Sequence, residues 1–92
     1  MISDAFRLQD ATITLPNGAT VVARRPSALD MVEALRESRD NPDTLGIWLV
    51  WRHLRHGDGP MFATMEEVMR SDGRAVSAAS EAIQKLYEEG RD

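Results

Sequence analysis

The chain has 92 residues, 42% of them hydrophobic, and no cysteine. That size suits one small domain and excludes two, and the missing cysteine excludes disulfides, thiolate metal sites and cysteine nucleophiles together. The formal charge of −4, from 11 basic and 15 acidic side chains, disfavours a duplex-binding domain, which gathers positive charge on one face.

The charge is unevenly spread. Residues 1–57 balance, while residues 58–92 carry the whole −4. The one local basic concentration is Trp51-Arg52-His53-Leu54-Arg55-His56. Lys85 is the single lysine; every other base is arginine, a residue suited to planar bidentate contacts and aromatic stacking. Met1 to Arg7 shows no basic region followed by an apolar run, so no secretory signal is expected. The longest uninterrupted apolar run, Ile47 to Trp51, is far short of the ~20 residues that span a bilayer. A cytoplasmic protein is expected, with no membrane partner.

Ala11-Thr12-Ile13-Thr14-Leu15 alternates apolar and polar residues, and Thr20-Val21-Val22-Ala23-Arg24 follows after Pro16-Asn17-Gly18. Pro at the second and Gly at the fourth position of a type I turn from Leu15 predict a β-hairpin over about 11–25. Phe6 and Leu8 alternate out of phase with Ile13 and Leu15, which implies a bulge near Asp10 or a loose N-terminal extension.

The period then becomes helical. Ser27-Ala28-Leu29-Asp30 resembles a capping box, and Ala28, Met31, Val32 and Leu35 share a face opposite Asp30, Glu33, Arg36 and Glu37. An amphipathic helix over roughly 28–39 follows. Asn41-Pro42 supplies the N-cap and first position of a second helix, expected to run to about His56 with Gly57 ending it. Gly57-Asp58-Gly59-Pro60 reads as a loop. Thr64-Met65-Glu66-Glu67 is a capping box opening a short helix through about Arg70. Ser71 or Asp72 caps a last helix with an apolar stripe of Val76, Ala79, Ile83 and Leu86, stopped by Gly90. Residues 1–92 thus form one α+β, mostly helical domain, with an N-terminal β-hairpin and three to four α-helices over about 27–90.

The second helix carries the most information. Leu45, Trp48 and Leu49 group on one side, and Ile47, Val50, Trp51 and Leu54 on nearly the opposite side. A helix apolar on both sides must be covered on both sides. It is either the centre of the domain or an interface on one face, and both hold if each takes one face. Two tryptophans at ~200 Å² each make such burial worth roughly 5 kcal/mol apiece before entropy. Trp48 to Arg52 and Trp51 to Arg55, both four apart, admit cation–π pairs.

Chemistry is sparse. His53 and His56 are spaced to place two metal ligands on one helical face, with Asp58 near, but a third ligand is not apparent and the pair reads as a partly exposed polar helix end. Glu33, Glu37, Glu66 and Glu67 sit on solvated faces or in a first turn, where the helix dipole favours them. Ser27, Thr64 and Ser71 read as caps. No phosphate loop is present, and Asp58 reads as a turn residue. Met61, Met65 and Met69, with Phe62 and Val68, form a flexible apolar patch, either core filling or a plastic binding surface. No catalytic, cofactor or metal site is expected, and the chain reads as a non-enzyme.

Ile13-Thr14-Leu15-Pro16-Asn17-Gly18, then Val21-Val22-Ala23-Arg24-Arg25-Pro26 and Asp30, resembles the opening of small tail assembly chaperones of long-tailed bacteriophages and their prophage relatives. Those proteins continue with a Trp/Leu-rich helical middle, a short acidic capping-type segment and a last helix ending in Gly, as Leu86-Tyr87-Glu88-Glu89-Gly90 does here. The resemblance implies a non-enzymatic protein of the bacterial host cytoplasm. It would bind the helical tape-measure protein, recruit tail-tube subunits and self-associate, and often exist beside a frameshifted longer form. On that reading Ile47, Trp48, Trp51, Leu54, Arg55, Met61, Met65 and Met69 are the candidate partner-binding residues, receiving partner helices in a groove. A DNA-associated regulator or antitoxin-like adaptor using Arg52, Arg55, His53 and His56 is the alternative from another class, and a small metal-dependent hydrolase a third.

Overall fold

The computed structural model describes residues 10–57 and 59–89. Elements run β1 (Asp10–Thr14), β2 (Thr20–Arg24), α1 (Ala28–Glu37), α2 (Thr44–His53), β3 (Leu54–His56), β4 (Gly59–Pro60), α3 (Met65–Met69) and α4 (Gly73–Glu89). The fold is α+β and mostly helical, as expected from the sequence. The Cα radius of gyration is 12.9 Å. Phe6, Leu8 and Gly90 lie outside the described residues.

The hairpin forms where its turn chemistry places it. The Gly18 N–H donates to the Leu15 carbonyl at 2.9 Å, the Asn17 side chain accepts from the Ala19 N–H at 3.0 Å, and Gly18 takes φ 86°. That left-handed value suits glycine, which has no Cβ to clash. In register, Ala11 faces Ala23 and Ile13 faces Val21. Alternation turns Ile13 and Ala23 into the core and leaves Thr12 and Val22 outside.

The second helix is shorter than expected. It ends at His53, and Leu54 is already extended, with φ −74° and ψ 135°. Leu54 to His56 instead pairs antiparallel with β2, Ala23 against Leu54 and Val22 against Arg55. Side-chain packing explains the change of period: Leu54, 3% exposed, enters the hydrophobic core from β3, and β2 gains a partner for a bare edge. Gly57, at φ 61°, therefore lies in the connection from β3 to β4 rather than closing a helix. The expected loop at 57–60 thus contributes a fourth strand, and the sheet order is β1-β2-β3-β4. At its other end α2 begins at Thr44, two residues later than the Asn41-Pro42 signal implied. Asn41 contributes its carbonyl, which accepts from the Thr44 N–H and hydroxyl, rather than a side-chain cap.

α2 occupies the centre, packed against α1, α3, α4 and the sheet. Trp48, Leu49 and Val50 are all buried, so the two-sided apolar helix is covered within the chain on both sides. α4 lays Ala79 and Ile83 into the same core, with Val76 and Leu86 packed against it, as its stripe predicts. The approach of α2 to α4 is close: a Cβ built at Gly46 would lie 2.5 Å from the Ser80 hydroxyl. Short caps fix the remaining helices. Thr64 accepts from the Glu67 N–H, and the Asp72 carboxylate accepts from the Arg74 and Ala75 N–H groups. Glu67 returns its carboxylate to the Ala63 N–H rather than to the cap residue itself.

α1 departs from expectation in a way that bears on function. Its capping box is as read: the Ser27 hydroxyl accepts from the Asp30 N–H at 3.0 Å, and the Asp30 carboxylate accepts from the Ser27 N–H at 2.9 Å. Its orientation is reversed. The buried side is Asp30, Ala34 and Ser38, four apart, with Met31 beside them. Leu29, Val32 and Leu35 are 64%, 50% and 59% exposed. The expected core face of Ala28, Met31, Val32 and Leu35 therefore points mostly outward.

Candidate functional site

A buried polar network holds α1 in this orientation. The His53 ring is 0% exposed, with Nδ1 2.8 Å from the Leu49 carbonyl and Nε2 3.2 Å from Asp30 Oδ2. A carbonyl only accepts, so Nδ1–H donates to Leu49. Burial pushes the Asp30 carboxyl up, but hydrogen bonds from the Ser27 N–H and His53, with the His53 charge, outweigh it and hold the group below the usual carboxylate range. Oδ2 is thus ionised, with His53 Nε2 within hydrogen-bond distance of it. The Arg24 guanidinium adds a contact at 3.5 Å. This arrangement ties β2, α1 and α2 together. It leaves the ring no open face for a substrate, so His53 is not the partly exposed helix end that its position suggested.

The expected pairing of His53 with His56 on one helical face does not occur, because His56 lies in β3. Among the described residues no group of three or more His, Asp or Glu is placed to hold a metal ion. The Arg/His end of α2 is likewise dispersed. His53 is buried, and the Arg52 guanidinium lies 5.4 Å from the centroids of both Trp48 and Trp51. Among the described residues Arg52 therefore makes both cation–π contacts, and Arg55, in β3, does not take the place expected over Trp51.

The two tryptophans meet edge to face, with centroids 6.4 Å apart and planes at 86°. Both are among the residues bordering a cleft of about 660 Å³ between α1, the turn at 40–41, α2 and Met65. Glu33, Arg36, Glu37 and Asp40 form its α1 wall. The Trp51 Nε1–H donates to the Ala63 carbonyl at 3.2 Å, which fixes that ring.

Of the residues expected to bind a partner, Trp48, Trp51 and Met65 line this cleft and the others do not. Trp48 and Leu54, 6% and 3% exposed, belong to the core and present almost no surface. Ile47, Met61 and Met65 are half-buried against the core, as is Phe62, and Val68 is fully buried. Most of the methionine patch is therefore core filling, with Met69 exposed at 54%. Arg55 is half-buried in β3. The large apolar surface left over is on α1, at Leu29, Val32 and Leu35. A signal for it was present in the row Asp30, Ala34, Ser38: short side chains four apart let a helix sit close to its neighbour and turn its long side chains away.

Comparison with protein-family models, curated proteins and solved structures finds no match. Among the described residues no helix is long and apolar enough to cross a membrane.

Proposed function

We propose that the chain is a non-enzymatic tail assembly chaperone that docks helical segments of a tape-measure protein on the outer face of α1. One observation carries this reading: an amphipathic helix sits with its small and polar side inward and Leu29, Val32 and Leu35 in water. Leaving three such side chains exposed forfeits roughly 1–2 kcal/mol each. A contiguous stripe of this kind marks a protein-binding surface, and its spacing matches the apolar stripe of a partner helix laid alongside.

The resemblance of the hairpin and the Arg25-Pro26 step to tail assembly chaperones supplies the identity of the partner. On that reading the chain works in the cytoplasm of a bacterial host, self-associates, and recruits tail-tube subunits to the coated tape measure. The test is co-expression with the long helical protein of the neighbouring genes. The wild-type chain keeps that protein soluble, and a Val32→Asp, Leu35→Asp variant lets it precipitate. A variant that protects as well as the wild type would show that α1 is not the docking face.

A further inference from the structure

The turn between β1 and β2 places an asparagine directly before a glycine, Asn17-Gly18, and both residues are exposed. An asparagine carboxamide is within reach of the next backbone nitrogen, and attack of that nitrogen on Cγ closes a five-membered ring. Glycine after the asparagine presents no Cβ to obstruct the closure. A Cβ built at Gly18 would meet nothing within 4 Å, so the turn stands open to water. Two hydrogen bonds act on the reacting atoms in opposite senses. The Ala19 N–H donates to Asn17 Oδ1 at 3.0 Å, which polarises the carboxamide carbonyl and sets a donor where negative charge develops. The Gly18 N–H donates to the Leu15 carbonyl at 2.9 Å, which shields the proton that a base must remove.

From this geometry we infer that Asn17 is a site of spontaneous deamidation, held back by the Gly18–Leu15 hydrogen bond. When that bond opens, solvent base takes the Gly18 amide proton. The nitrogen attacks Asn17 Cγ and sends the carbonyl electron pair to Oδ1. The pair returns, the bond from Cγ to the side-chain nitrogen breaks, and that nitrogen leaves as ammonia with a proton from water. Water then opens the succinimide at one of its two carbonyls, with no oxidation or reduction. Opening at Cγ gives aspartate at position 17. Opening at the main-chain carbonyl gives isoaspartate, whose main chain runs through Cβ and Cγ and is one methylene longer. The aspartate form keeps the Oδ1 acceptor for Ala19. The isoaspartate form separates the Gly18 N–H from the Leu15 carbonyl and loosens the register that sets Ile13, a core residue, opposite Val21. None of this depends on what α1 binds.

The test incubates the full chain, folded and unfolded in guanidinium chloride, at neutral and mildly alkaline pH. Trypsin releases Asn17 on the peptide 8–24 and Asn41 on a separate one, and mass spectrometry reads the change from amide to acid at each. Asn41 is an internal control, because the nitrogen of Pro42 has no proton to lose. The folded chain loses the Asn17 amide about fivefold more slowly than the unfolded chain, the worth of roughly one net hydrogen bond, and faster at the higher pH. Asn41 keeps its amide. Two products separate by chromatography, and the isoaspartate form melts below the aspartate form. Asn17→Asp melts near the wild type, which assigns the loss to the lengthened main chain. An Asn17 amide that survives in the folded chain while the unfolded chain is converted overturns the inference. So does equal loss at Asn41, which marks plain hydrolysis, or aspartate as the sole product, which excludes the ring. A folded rate equal to the unfolded one overturns the restraint assigned to the Gly18–Leu15 bond.

Discussion

His53 Nε2 lies 3.2 Å from Asp30 Oδ2, and this contact joins α2 to α1 across the buried interior. Removing one member of a buried pair leaves an uncompensated polar group and costs about 3–5 kcal/mol. Asp30→Ala also breaks the capping box, worth roughly a further 1 kcal/mol. Urea unfolding of Asp30→Ala therefore loses several kcal/mol. In the double variant with His53→Leu the loss is smaller than the sum of the two single losses, because the second change removes a group already orphaned.

The same contact sets an acid dependence. The Asp30 carboxyl titrates lower in the folded chain than in the unfolded one, where its value is about 3.9. Its contribution is therefore complete above that unfolded value and disappears as pH falls through the lower folded value. The urea midpoint of the wild type falls through this acid window. Asp30→Asn is less stable at neutral pH and shows a shallower acid slope.

Gly46 is needed where α2 meets α4. Gly46→Ala places a Cβ 2.5 Å from the Ser80 hydroxyl oxygen. An alanine normally gains about 1 kcal/mol over glycine inside a helix, but overpacking of this kind costs about 1–3 kcal/mol. Gly46→Ala alone lowers the melting temperature. Adding Ser80→Ala removes the nearest atom and recovers part of the loss, since the Ser80 Cβ, 3.1 Å away, remains.

Burial separates the two candidate surfaces. Leu54→Ala removes a core side chain and costs about 2–5 kcal/mol, so a Trp51→Ala, Leu54→Ala double variant reports on folding before it reports on binding. Leu29→Glu and Leu35→Glu change stability by about 0.5 kcal/mol or less each, because those side chains already stand in water. Circular dichroism melts of the two sets, run side by side, check the contrast.

Local chemistry was legible in the sequence. Pro16 and Gly18 announced the hairpin, Ser27 with Asp30 and Thr64 announced their helices, and Val76 to Leu86 announced the packed face of α4. Decisions that rest on distant partners were not. Leu54-Arg55-His56 continues a helical pattern, and only the open edge of β2 draws it into a strand. His53 reads as a solvated helix end because Asp30 is 23 positions away in the chain. The face of α1 is hidden from the sequence for a related reason. A hydrophobic stripe normally points inward, but here the Asp30–His53 bond outbids it and fixes the opposite side against α2. The sequence accordingly points to α2, to Leu54 and Arg55 after it, and to Met61, Met65 and Met69 for the partner surface, but the fold uses most of those side chains for its own packing.

The central claim, that α1 turns its apolar face outward to receive a helix, is tested most directly by measuring affinity and stability together. Calorimetric titration of a soluble amphipathic helical peptide with a Leu stripe into the wild-type chain and into Val32→Asp, Leu35→Asp, with a thermal melt of each, serves this purpose. The variant melts within a few degrees of the wild type and loses at least about tenfold in affinity, equivalent to roughly 1.4 kcal/mol. Unchanged affinity would contradict the claim, and so would a collapse of the melt, which would show Val32 and Leu35 to be core.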